Sequence, residues 1–376
     1  MLTQPASVSA PGHQWETVHL IPDKPSGSDY AYVVRDKAYA CTRQGLLDSI
    51  ATLGAQVTLV WTPNSNEPVR PEQMEFLVAE FQKRTQKQAK RAILLGSGLV
   101  AACIIVALAL NQWKTGFRNL VFLFGAITLF EGLWEFYRTR SFTMLDAQAD
   151  AGAERFAEWL KKKSVSGYTV AVVAAIIIVG FAQVLAGDKE SIEAAGLVKS
   201  AVWQGQIWRL STATLMHVNF MHFWMNFLGL LYLAKTIEQT IRRCFVPIVF
   251  FLSGICGSLL SLLLYPHTTS VGASGGILGL LGFLTIEVWL ARERYPINYL
   301  RRLLEGIVFT GVLGLIGFSF IDNGAHLGGL LGGVGLGWYF LRSRKNSQKG
   351  LRWLSLTTVV LLFFGVLIAA SKMLKL

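Results

Sequence analysis

Nine stretches of this chain are apolar over the length that a membrane demands. The hydrocarbon core of a bilayer is about 30 Å thick and takes about 20 apolar residues as helix. With that ruler, spans are expected at 92–110, 119–136, 169–186, 215–234, 245–265, 272–290, 303–321, 325–341 and 353–371. Glu131 interrupts the second, so 92–136 reads as two spans or as a hairpin dipping into the bilayer. In lipid every backbone polar group must be paired, which leaves helices for runs of this kind. Composition agrees, with 52% hydrophobic and 15% charged residues, against about 25% charged in soluble domains.

Residues 1–91 are polar and mixed, with no signal peptide at the start. The β-branched run 56–63 predicts a strand, and Pro71 opens a helical pattern through Met74, Leu77 and Phe81. A second helix is expected over 44–54. Residues 137–168 read as a charged linker, part helix, and 342–376 as a basic loop followed by an additional span. The expected fold class is an all-α polytopic membrane protein carrying a small α/β N-terminal domain.

The formal charge is +12, from 35 Lys+Arg against 23 Asp+Glu. The basic residues lie between the apolar runs rather than on one interleaved patch, which argues for the bilayer as partner and against nucleic acid. With the N-terminus cytoplasmic, and counting from Lys83 onward, nine spans place 23 basic residues in the inner segments and 7 in the outer ones. Such asymmetry is the positive-inside signature. The reading is a multi-pass protein of a bacterial inner membrane with residues 1–91 in the cytoplasm. Cys41, Cys103, Cys244 and Cys256 are too scattered for a disulfide framework or a metal site.

Polar residues at membrane depth are expensive and tend to be functional. "GASGG" (272–276) satisfies G-x-S-x-G, but the soluble nucleophile elbow needs a preceding strand, and here apolar spans flank it. What remains is Ser274 among small residues at a helix start, and close helix packing is the competing explanation. In "AHLGGLLGG" (325–333), His326 opens a span with Gly329 and Gly333 on its face, so a partner helix can approach closely. An interfacial histidine is the plainer reading of that residue alone. In "HVNFMHFWMN" (217–226), His222 and Asn226 are one helical turn apart, with His217 earlier. Neither H-E-x-x-H nor a nearby carboxylate supports a metal, and donors aimed at a developing oxyanion fit better. All these residues lie towards the outer ends of spans running in one direction, which points to a single site opening on the outer face.

The ordered set resembles the rhomboid intramembrane serine proteases over roughly 165–345. It comprises "GQIWRLSTATLMH" (205–217), HxxxxHxxxN (217–226), "YLAKTIE" ending at Glu238, "GASG" (272–275) and "AHLGGLLGG". The resemblance implies a six-helix core over 169–341 and a Ser–His dyad without a third carboxylate. Ser274 is then the nucleophile, His326 the general base, and His222 and Asn226 the oxyanion pair. His217, Trp208, Arg209, Glu238, Gly272, Gly275, Gly329 and Gly333 match structural positions of the motif. No metal or other cofactor is implied, and the implied substrates are other transmembrane proteins. One departure is Leu278, where many active rhomboids carry an aromatic packed on the histidine. Two other classes compete: a rhomboid-like protein that binds client helices without cutting them, and a transporter. The first predicts loss of Ser274 or His326, and the second predicts ionisable residues near the midplane. Neither pattern is present beyond Glu131 and Glu287.

Overall fold

The computed structural model describes residues 15, 21–63, 65, 67–109, 120–317, 321–342 and 348–375. Lys114, Arg118, Arg344 and Lys345 of the charge count lie outside the described residues, as do parts of the spans expected at 92–110, 119–136 and 303–321. Contacts divide the chain into two compact units. One runs through Trp159 and takes in Arg292–Tyr299; the other comprises Leu160–Ala291 and Leu300–Leu376.

The first unit begins with a three-stranded antiparallel sheet, β1 (Tyr30–Val34), β2 (Lys37–Cys41) and β3 (Val57–Trp61), in the order β2-β1-β3. Arg35 and Asp36 join β1 to β2 with φ of 50° and 62°, the backbone hand that a two-residue hairpin turn requires. Helix α1 (Arg43–Leu53) is capped by Thr42, whose hydroxyl accepts from the Gly45 N–H. Its Leu46 and Ile50 pack with Val57, Val60, Leu77 and Phe81.

Pro71 opens only a short 3₁₀ turn, Pro71–Gln73, and the helix proper starts at Glu75. That helix, α2 (Glu75–Ala109), is continuous for 35 residues, about 52 Å at 1.5 Å per residue. It therefore joins what reads in sequence as a soluble helix and a span. Helix α3 (Leu120–Arg138) packs against it, and Gly96, Gly125 and Gly132 bring the two backbones into contact. Helix α4 (Met144–Lys162) fills much of the charged linker, held by Arg84 to Glu154 at 2.8 Å and Arg155 to Glu72 at 2.5 Å.

The second unit is a helical bundle. In chain order its elements are α5 (Gly167–Ala186), α6 (Asp188–Ala195), β4 (Leu197–Val198), α7 (Lys199–Trp203), α8 (Arg209–Thr212) and α9 (Phe220–Thr240). Then follow α10 (Phe245–Leu264), β5 (Thr269–Ser270), α11 (Ser274–Leu290), α12 (Tyr299–Ile316), α13 (Asn323–Arg342) and α14 (Gln348–Met373). Helices α10, α11 and α13 pack tightly on one another, while α14 lies against α5, α6, α8 and α10. Strands β4 and β5 pair across the bundle, Leu197 with Ser270 and Val198 with Thr269.

Among the described residues four helices, α2, α5, α10 and α14, are each long and apolar enough to cross a membrane, and α11 is apolar but shorter. Several such helices in one chain make this a multi-pass integral membrane protein. The span expected at 215–234 begins later than the apolar run suggests. Asn219 caps α9 by accepting from the His222 N–H at 2.9 Å, so His217 lies before the helix.

Candidate active site

Ser274 is the first residue of α11, and the turn before it is forced by glycine. Gly272 adopts φ 147°, and a methyl group there would meet His222 Cε1 at 3.0 Å and Ser274 Oγ at 3.5 Å. Only glycine serves where the backbone is of this hand and the space is already filled. The Gly272 N–H donates to the Ala213 carbonyl at 2.9 Å.

His326 stands in the first turn of α13, and its Nε2 lies 2.9 Å from Ser274 Oγ. The close approach of α11 and α13 makes that distance possible. A methyl on Gly329 would overlap the Gly275 carbonyl, and one on Gly333 the Gly279 carbonyl. A seam of bare backbone against bare backbone thus brings two half-buried side chains into hydrogen-bonding range. His326 Nδ1 is buried and has no hydrogen-bond partner among the described residues. Orientation of the ring falls to the backbone, where the His326 N–H donates to the Asp322 carbonyl at 3.1 Å.

His222 closes a third side, its ring beside Gly272 and edge-on to His217 at 5.3 Å between centroids. Asn226 is buried one turn along α9 and donates from Nδ2 to the His222 carbonyl at 2.8 Å. An amide carries two such hydrogens, so one stays available. His217 is buried, with neither ring nitrogen hydrogen-bonded among the described residues. Its backbone is clamped by Gln183 of α5, which donates to the His217 carbonyl and accepts its N–H, both at 2.9 Å.

The other motif residues lie away from the dyad. Arg209 is buried, donating to the Gly196 carbonyl at 2.7 Å and to Gln206 at 2.8 Å, and it stacks on Trp208 at 4.7 Å. Burial pushes its guanidinium below the ordinary arginine value. Lys372 of α14 lies over the same indole at 5.5 Å. Glu238, near the end of α9, accepts from the Ser166 N–H at 2.8 Å, from the Ser166 hydroxyl, and from Thr169 at 2.6 Å. It thereby ties α9 to the first turn of α5. Leu278 is buried one turn after Ser274.

Sequence reasoning missed Gln183, Lys199, Ser261 and Asp322, each of which has a partner distant in the chain. Among the described residues no three His, Cys, Asp or Glu side chains are grouped as metal ligands would be.

A serine hydroxyl thus stands against a histidine nitrogen at the mouth of a glycine seam between two apolar helices. The Rhomboid domain matches residues 204–343. RHOMBOID-like protein 7 of Arabidopsis thaliana is 36% identical over 141 residues, covering 37% of this chain and 45% of that one. Rhomboid protease GluP of Bacillus subtilis is 33% identical over 172 residues, 45% of this chain and 32% of its own length. Rhomboid-like protease 3 of Toxoplasma gondii is 31% identical over 150 residues, 39% and 57% respectively. The matches therefore span less than two thirds of these relatives. Residues 204–343 are thus a Rhomboid domain, and the relatives that match over this region include proteins named as proteases.

Proposed function

We propose that the protein is an intramembrane serine endopeptidase that hydrolyses peptide bonds in or near the transmembrane segments of other membrane proteins. The observation that carries this is the 2.9 Å contact between Ser274 Oγ and His326 Nε2. A serine hydroxyl is a weak nucleophile and needs an adjacent base. Histidine suits the task because its unperturbed pKa of about 6.5 lets it exchange a proton near neutrality.

His326 Nε2 takes the Ser274 proton as Oγ bonds to the scissile carbonyl carbon. The Ser274 N–H, unpaired within the helix because it is in the first turn, faces the developing oxyanion together with the helix dipole. The His222 ring and the second Asn226 N–H add side-chain donors. Collapse of the intermediate expels the amine, which leaves with the proton from His326. Water then attacks the acyl-enzyme, giving one proton to His326, and Ser274 departs by taking it back. No cofactor enters this scheme, and no carboxylate is needed on Nδ1.

Ser274→Ala removes only a hydroxyl, so the variant should fold as the wild type does and cut nothing. A fluorophosphonate probe should label the wild type and not the variant. Cleavage that persists in Ser274→Ala would overturn this assignment, and a wild type that binds single-span substrates without cutting them would leave helix binding as the function.

The 23-to-7 partition of basic residues supports an N-terminus in the cytoplasm. A relative in Bacillus subtilis is compatible with a bacterial cell membrane. On this reading the dyad opens on the outer face. An impermeant maleimide applied to intact cells should modify a cysteine placed at His267 and spare one at Lys162. The reverse pattern would invert the topology.

A further inference from the structure

The dyad lacks a third side chain, yet His326 and Ser274 must be held to within fractions of an ångström, and the structure contains a group suited to that. Lys199, at the start of α7, is 1% exposed. Its Nζ lies 2.7 Å from Thr268 Oγ1 and 3.1 Å from Ser270 Oγ, on and just before β5, the strand leading into Gly272 and Ser274. The same ammonium is 3.9 Å from the Asp322 carboxylate and 5.8 Å from the Tyr265 ring centre. Asp322 caps α13 by accepting from the Ala325 N–H at 2.9 Å, and it accepts from Ser261 of α10 as well. Its carbonyl receives the His326 N–H. One buried cation therefore touches the segment that delivers the nucleophile and the cap that sets the base.

A buried charge is costly. Burial pushes the Lys199 ammonium below the usual lysine value, and the Asp322 carboxylate draws it back up. A methionine would fill the same volume without that cost, so packing alone does not account for a lysine here.

We infer that Lys199 is a positioning residue for the Ser274–His326 pair, acting through Thr268 and Ser270 on one arm and through Asp322 on the other. This rests on the protease reading above. Lys199 takes no proton from the substrate and touches no reacting atom. It fixes the separation of the two helix starts that the chemistry requires.

The test uses the full-length protein in detergent, a fluorophosphonate probe and a single-span substrate. Lys199→Met alone leaves the Asp322 carboxylate without its cation, so the decisive variant is the double one, Lys199→Met with Asp322→Asn, which carries no unpaired charge and keeps an N-cap oxygen. Displacing reacting groups by about 1 Å costs about 10²-fold in rate, so kcat and the labelling rate should fall by about that much with KM little changed. The melting temperature should stay within a few degrees of wild type, and prolonged labelling should still titrate every molecule. A purely structural role would instead reduce the fraction of molecules that label and leave the rate per reactive site unchanged, and that result overturns the inference. So does a double variant that reacts at the wild-type rate. In both cases the protease reading stands, because the wild type still labels and Ser274→Ala does not. A wild type inert to the probe and to the substrate overturns both.

Discussion

Two helix pairs in this molecule are built the same way and end differently. In the first unit α2 and α3 meet through Gly96, Gly125 and Gly132, and in the second α11 and α13 meet through Gly275, Gly279, Gly329 and Gly333. Both seams press backbone against backbone, which is how helices associate in lipid, where burial of apolar surface gives no advantage. Only the second places a serine in the first turn of one helix and a histidine in the first turn of the other. A glycine seam is therefore a means of approach, and chemistry depends on what stands at its mouth. The polar surroundings differ too. Near the second mouth stand Asp322, Lys199 and Ser261, while α3 carries Glu131 and Glu135 along its length.

Removing the proposed base should expose that contrast most strongly. His326→Ala should lose at least about 10⁴-fold in cleavage rate, the order seen when a serine-hydrolase triad loses a member, and its thermal melt should match the wild type. Substantial cleavage in His326→Ala would mean that another base serves Ser274. Asn226→Ala should cost about 10²–10³-fold if its free N–H meets the oxyanion. A smaller loss would assign Asn226 to bracing the α9 backbone through the His222 carbonyl.

The two seams can then be set against each other. Gly329→Ala forces a methyl into the Gly275 carbonyl; overpacking of this kind costs about 1–3 kcal/mol, and the dyad geometry should suffer with it, by about 10²-fold in rate. Gly96→Ala pushes a methyl against the Leu129 N–H of α3, and its stability cost should be similar, about 1–3 kcal/mol. Cleavage by that variant should nevertheless stay near wild type. Equal loss of activity in both would show that the first unit takes part in the reaction. The mildest perturbation should be a chain that begins at Ser164. Every residue of the candidate site belongs to the second unit, so cleavage of a single-span substrate should persist within a few-fold. Complete inactivity of a well-folded protein of that length would contradict the partition.

The site was readable in the sequence wherever its residues are near neighbours or stand at helical spacing. His222 and Asn226 are four apart, and His326, Gly329 and Gly333 share one face, so periodicity alone brings each group together. The apolar runs likewise located the helices, because the bilayer sets their length. What escaped depends on partners far away in the chain. Lys199 reads as one more basic residue of an outer loop until Thr268, 69 residues on, is seen against it. Gln183 reads as an isolated polar residue of a span until it grips His217 from both sides. Short elements were lost for a related reason. The β1–β2 hairpin turns on Arg35 and Asp36 and has no glycine to announce it. The continuous α2 was split at 91 because its character changes there from charged to apolar, although the backbone has no cause to break.

The clasp at Glu238 has a mechanical consequence. Helix α9 is fixed at that end to Ser166 and Thr169, and His222 lies 16 residues towards its other end. At 1.5 Å per residue the separation is about 24 Å, so α9 is a lever pivoting on a carboxylate. A tilt of about 5° at the pivot would carry His222 through roughly 2 Å over that length, several times the tolerance of a hydrogen bond. Glu238 is remote from the dyad, and the aim of the His222 ring is nevertheless set in part at that far end of the helix.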